Sequence, residues 1–166
     1  MRIFVISDTH GHLERARAAY EKVNSQAPVD VVVHCGDHII DAMQLESDLG
    51  VKVIACYGNC DSGRMGNDSE ILETECGSFF ITHGDEYGVN YDLSRLGYKA
   101  EEQGCVGAIF GHTHRALFVK QSGIVFLNPG SLTRPRDGLG GTFALLETDA
   151  KGMEGRIIRY EDLNKL

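Results

Sequence analysis

Five apolar runs in this chain break off into short blocks of metal-ligand residues: Asp8-Thr9-His10, Gly36-Asp37, Gly58-Asn59, His83-Gly84 and Gly111-His112-Thr113-His114. A short apolar run bounded by glycine reads as a buried strand. The fold must therefore place polar chemistry at strand ends, where α/β sheets gather ligand-binding residues. Two carboxylates, one amide and four imidazoles at one sheet edge can hold two divalent cations, with Asp37 or Asp8 placed to bridge them. On extended backbone a spacing of two sends side chains to one side, so Asp8 and His10 are expected to share a cation, and His112-x-His114 to repeat that geometry.

The first half of the chain alternates. Ile3 to Ile6 reads as a strand, Leu13 to Asn24 as a helix, Val29 to Val33 as a strand, Asp41 to Leu49 as a helix with Asp41 at its N-cap and Gly50 at its end, and Lys52 to Cys56 as a strand. Such a β-α-β-α-β unit implies parallel strands. In the second half, Ile71 to Thr74 and Ser78 to Thr82 read as a hairpin, Tyr91 to Gln103 as a helix and Val106 to Phe110 as a buried strand. Leu117 to Lys120, Gly123 to Leu127, Thr142 to Glu147 and Arg156 to Tyr160 then read as an antiparallel run. The expected class is α/β, two mixed sheets packed together with helices outside, in a single domain over residues 1–166.

Composition narrows the function. With 24 acidic and 16 basic residues the formal charge is −8, which argues against an extended nucleic-acid-binding face. Two divalent cations would bring it to −4. The five cysteines, Cys35, Cys56, Cys60, Cys76 and Cys105, form neither a zinc ribbon nor a disulfide framework, so a reduced, cytoplasmic setting is expected. The N-terminal apolar stretch is too short for a signal peptide, and no run approaches the ~20 residues of a membrane span.

Each block alone has an ordinary explanation: Asp8 as a helix cap, Asp37 as a turn residue, Asn59 in a left-handed turn, His83 as a packed histidine. Their conjunction does not. Together with Gly58-Asn59-Cys60-Asp61 and Asn128-Pro129-Gly130-Ser131, the blocks resemble, in order from residue 2 to about 160, the signature of the calcineurin-like metallophosphoesterases. The closer resemblance is to the compact phosphodiesterase branch, which also contains the retromer scaffolding subunit.

That resemblance implies a four-layer α/β/β/α sandwich. It implies one cation held by Asp8, His10, Asp37 and His114 and another by Asp37, Asn59, His83 and His112, with Asp37 bridging. Catalytic roles follow for Asp37, Asn59 and His112, in a reaction where a metal-bridging hydroxide attacks phosphorus in line. Oxygen and nitrogen donors without thiolate suit Mn²⁺, Zn²⁺, Fe²⁺ or Ni²⁺, with Mn²⁺ first on family grounds. The substrate expected is a small phosphodiester. A phosphomonoesterase and a non-catalytic scaffold are the alternatives, and the oligomeric state, homo-oligomer included, stays open.

Position 60 departs from the broad family, which places a proton-donating histidine there. A thiol is a poor substitute, so good leaving groups are favoured. His12 and His38 flank metal blocks and are candidates for substrate contact, as are Arg134 and Arg136; Arg64 and Arg115 are further loop cations, and arginine's fork suits phosphate. His34 is expected to be a packing residue.

Overall fold

The computed structural model describes residues 1–62 and 66–166. Strand β1 (Arg2–Ile6), helix α1 (Glu14–Gln26), β2 (Val31–His34), α2 (Ile39–Leu49) and β3 (Val53–Ala55) form the expected alternating unit. Its three strands are parallel, in register Ile3 to Val31 and Val32 to Val53. There follow β4 (Ser69–Thr74), β5 (Gly77–Thr82), α3 (Ser94–Glu102), β6 (Gly107–Ile109), β7 (Ala116–Gln121), β8 (Ile124–Pro129), β9 (Thr142–Asp149) and β10 (Gly152–Arg159). Two five-stranded mixed sheets result, ordered β10-β9-β1-β2-β3 and β4-β5-β6-β8-β7.

Strand periodicity explains the layering. Along β1, Phe4 and Ile6 face outward and pack with Ala16, Tyr20 and Val23 of α1 and Leu45 of α2. Ile3 and Val5, on the opposite face, pack with Phe79, Ile81, Ile109 and Leu127 of the second sheet. The outer face of that sheet, through Phe80, Ala108 and Phe126, is covered by Leu96 and Ala100 of α3. The order is helix, sheet, sheet, helix. Fully buried side chains such as Phe79 and Ile81 each contribute roughly 1.5–3 kcal/mol of burial free energy.

The second half departs from the expected antiparallel run. β7 and β8 form a hairpin, but β8 joins β6 in parallel within the second sheet, while the β9-β10 hairpin crosses to the first sheet and pairs with β1. Each hairpin is local; the sheet it joins is decided by non-local pairing that periodicity does not encode. Helix α3 begins three residues later than expected, where Asp92 accepts a bond from the Ser94 N–H at 2.7 Å. The chain end forms a 3-10 helix over Tyr160–Lys165. Among the described residues, no helix is long and apolar enough to cross a membrane.

Candidate metal centre

The ligand blocks lie where strands of both sheets end. Asp8 follows β1, Asp37 follows β2, Asn59 follows β3, His83 directly follows β5, and His112 and His114 follow β6. Backbone bonds join these ends, from Asp8 N to Gly36 O at 3.1 Å and from Gly111 N to His83 O at 3.0 Å. The loop after β8 supports them from behind. Asn128 donates to Gly111 O at 2.8 Å, and the Ser131 and Thr133 hydroxyls donate to Asp8 O at 3.0 and 3.2 Å.

At five of the seven candidate ligands the backbone is left-handed. Asp8, His10, Asp37, His38, His112 and His114 all have positive φ, between 49° and 80°. Residues other than glycine rarely adopt this left-handed conformation, and it concentrates at functional sites. The expectation that Asp8-x-His10 and His112-x-His114 each converge through strand periodicity therefore fails. Asp8 and His10 do meet, through a turn, whereas His112 and His114 diverge into two groups. Close approach also requires glycine at two positions: a Cβ on Gly58 would collide with the Asp37 carboxylate, and one on Gly111 with Ser7 and Asp8.

Asp8, His10, Asp37 and His114 offer donor atoms within 4.8 Å of one another. Within this group His114 Nε2 stands 3.1 Å from Asp8 Oδ1, and His10 Nε2 stands 3.8 Å from Asp37 Oδ2. The other oxygen of Asp37 faces the second group, 3.3 Å from His83 Nε2. There Asn59 Oδ1 lies 3.1 Å from His83 Nε2 and 2.9 Å from His112 Nδ1.

The outer ring atoms of the histidines define which nitrogen is free. His83 Nδ1–H donates to Cys35 O and His114 Nδ1–H to Arg134 O, each at 2.7 Å, which leaves both Nε2 lone pairs turned inward. His112 Nε2 meets the Asn90 amide at 2.8 Å. An amide presents either a donor or an acceptor there, so Asn90 can stabilise either tautomer of His112. Spacing and glycine flanks pointed to the ligands but carried no signal for Asn90.

The buried group calls for positive charge. Asp8 Oδ1 and His10 Nε2 are buried without a hydrogen-bond partner among the described residues, a costly condition that a cation would relieve. The donors therefore fit a divalent metal. Burial opposes ionisation of Asp8, but the neighbouring imidazoles of His114 and His83 favour its carboxylate form and hold its pKa low. Burial likewise opposes protonation of His114, yet the adjacent Asp8 carboxylate prevails and raises its pKa. Burial, reinforced by Arg134 for His10 and by His83 for His112, lowers the pKa of both these rings. Their lone pairs are thus available near neutral pH.

The other named residues sort by position. The His38 ring sits edge-on to His10 with centroids 5.5 Å apart, whereas His12 is exposed on the turn. Arg134 and Arg136 expose their side chains while their backbones hold His114, Arg136 N donating to His114 O at 2.9 Å. Arg64 lies outside the described residues. Asp41 is not the α2 N-cap. The helix starts at Ile39, and buried Asp41 instead accepts bonds from Thr9 Oγ1 at 2.6 Å and Gly11 N at 2.7 Å, clamping the Asp8-to-His10 turn. Asp61 does the capping: its two oxygens accept from Ile39 N and Gly58 N, each at 2.7 Å. His34 is fully buried, as expected, 2.9 Å from Thr9 Oγ1.

A two-sheet sandwich with helices on both outer faces is a metallophosphoesterase-type fold, and the chain belongs to the calcineurin-like phosphoesterase superfamily, whose domain model matches residues 1–151. Members of that family use divalent metals. The probable metallophosphoesterase YsnB of Bacillus subtilis (strain 168) is 33% identical over 154 residues, covering 90% of this chain and 87% of its own. Phosphodiesterase MJ0936 of Methanocaldococcus jannaschii is 31% identical over 166 residues, covering 91% and 95% respectively. A crystal structure of Vps29 from Entamoeba histolytica matches with a TM-score of 0.76 at 20% identity, over 95% of this chain and 98% of that one, a likeness of fold.

Proposed function

We propose that this chain is a metal-dependent phosphodiesterase acting on small phosphodiesters. It would hold one divalent cation by Asp8, His10, Asp37 and His114 and a second by Asp37, Asn59, His83 and His112. The carrying observation is Asp37, which turns Oδ2 toward His10 and Oδ1 toward His83, one oxygen to each donor group. Divalent cations bound there would supply a water of lowered pKa and a Lewis acid for a phosphoryl oxygen. Mn²⁺ is the first choice, with Zn²⁺, Fe²⁺ and Ni²⁺ compatible with the same donors.

The chain's own groups do the positioning. Asn59 turns Oδ1 toward His83 and His112, and its NH₂, which donates one N–H to Cys60 Sγ at 3.5 Å, keeps a second N–H for a phosphate oxygen. The Cys60 thiol is pushed up to about 11 by partial burial and by Asp37, which makes it a weak proton donor. That supports diesters with good leaving groups over monoesters. Competent donors at all seven ligand positions support a hydrolase over a scaffold. The core shared by both sheets supports one domain over residues 1–166, and the five unpaired cysteines support a cytoplasmic setting.

Purified protein supplied with Mn²⁺ should hydrolyse bis-p-nitrophenyl phosphate faster than p-nitrophenyl phosphate, and a chelator should abolish both activities. The reverse ranking would select the phosphomonoesterase reading. Full activity in metal-free protein would sink the proposal.

A further inference from the structure

Beside the open donor group lies a cleft of about 570 Å³ whose lining includes Asn90, Tyr91, Thr113, Arg115 and Arg136. It adjoins the centre directly: Asn90 bonds His112, Thr113 sits between His112 and His114, and the backbone of Arg136 holds His114. Its lining carries two carboxylates and two guanidiniums, and they are not paired with one another. Asp137, in the same wall, accepts from Ala116 N at 2.8 Å and Leu139 N at 3.0 Å, one bond on each carboxylate oxygen, and Asp92 accepts from Ser94 N. The arginine ion pairs among the described residues use Arg2, Arg17, Arg156 and Arg159, so neither Arg115 nor Arg136 is matched by a carboxylate. Two unmatched guanidiniums in one cleft of a chain with formal charge −8 favour an anion with oxygens spaced for forked donors. Tyr91, 93% exposed on the same wall, offers a flat face to a planar ring.

We propose that this cleft is a substrate subsite for a nucleotide-type phosphodiester bearing a second phosphate. The base would stack on Tyr91 and the second phosphate would sit between Arg115 and Arg136, while the scissile diester occupies the metal centre. The assignment rests on the phosphodiesterase reading for the scissile group, but the binding contacts themselves do not require turnover.

The test is calorimetric titration of the Mn²⁺-loaded protein with thymidine 3′,5′-bisphosphate and with thymidine 5′-monophosphate. The bisphosphate should bind at least about tenfold more tightly, the scale of one charge-assisted forked contact. Arg115→Met, and separately Arg136→Met, should reduce that ratio to about two- or threefold, while Tyr91→Ala should weaken both ligands together. Equal affinities in the unaltered protein, or a preference that survives both arginine substitutions, would overturn the subsite, since the extra charge would then be read by the metals alone. The two readings fail separately. Hydrolysis of bis-p-nitrophenyl phosphate without a bisphosphate preference rejects the subsite, whereas arginine-dependent preference without hydrolysis supports the subsite and rejects the phosphodiesterase.

Discussion

The two donor groups that share Asp37 are built differently. Asp8, Asp37 and His114 are buried, and in their group Asp8 Oδ1 and His10 Nε2 lack hydrogen-bond partners among the described residues. In the other group Asn59 is exposed, His112 is half-buried, and the donors contact each other and Asn90. Burial removes alternatives: with its outer nitrogen fixed on Arg134 O, His114 presents a bare lone pair to Asp8, and only a proton or a cation relieves the contact. The open group has an alternative, because His112 can donate to Asn59 while Asn90 donates to it. The buried group should therefore bind its cation first and hold it longer.

The largest effect should come from the shared residue. Asp37→Asn removes the charge that serves both groups, so activity on bis-p-nitrophenyl phosphate should fall on the order of a thousandfold, with metal content reduced at both sites. Cys60→Ala, at a position expected to be dispensable, should change activity by less than about threefold. Comparable losses for the two would contradict the roles assigned to them.

Asn90→Ala separates the groups. Loss of a partner that orients a ligand histidine typically costs about 10- to 100-fold in metal affinity or activity, and here the cost should fall on the second metal equivalent alone. Equal weakening of both equivalents, measured by metal titration, would show that the groups are not distinct.

A smaller effect concerns the support behind the buried group. Full burial pushes the pKa of His34 down to about 4, against an ordinary value of 6.5. Between these values the unfolded chain binds a proton that the folded chain refuses. In the metal-free protein, the stability that rests on neutral His34 should be complete above pH ~6.5 and fall by up to about 1.4 kcal/mol per unit as pH falls toward 4. His34→Gln keeps a donor for Thr9 but cannot titrate, so urea unfolding across that range should lose this part of the acid slope. An unchanged slope would remove His34 as its source.

The parts of the site legible in the sequence were those with local signatures. Apolar runs ending in Asp, Asn or His beside glycine exposed the seven ligand candidates, and alternation exposed the β-α-β-α-β unit. What stayed hidden depends on non-local geometry. Nothing in Asp8-Thr9-His10 announces a left-handed turn at a residue other than glycine, since the bonds that hold it come from Asp41, Ser131 and Thr133. Asn90 has no flanking signature, and it matters only because its loop reaches His112. Asp61 enters the sequence pattern only as the last residue of Gly58-Asn59-Cys60-Asp61, and its capping of α2 depends on Ile39 N being folded against it.

The most direct test is titration of metal-free protein with Mn²⁺, followed by calorimetry and by metal analysis of the loaded chain. Two ions per chain should bind in resolved steps, the tighter step lost in Asp8→Ala, the weaker in Asn59→Ala, and both weakened in Asp37→Asn. A single ion per chain, or two steps indifferent to Asp37, would contradict a centre built on that shared carboxylate.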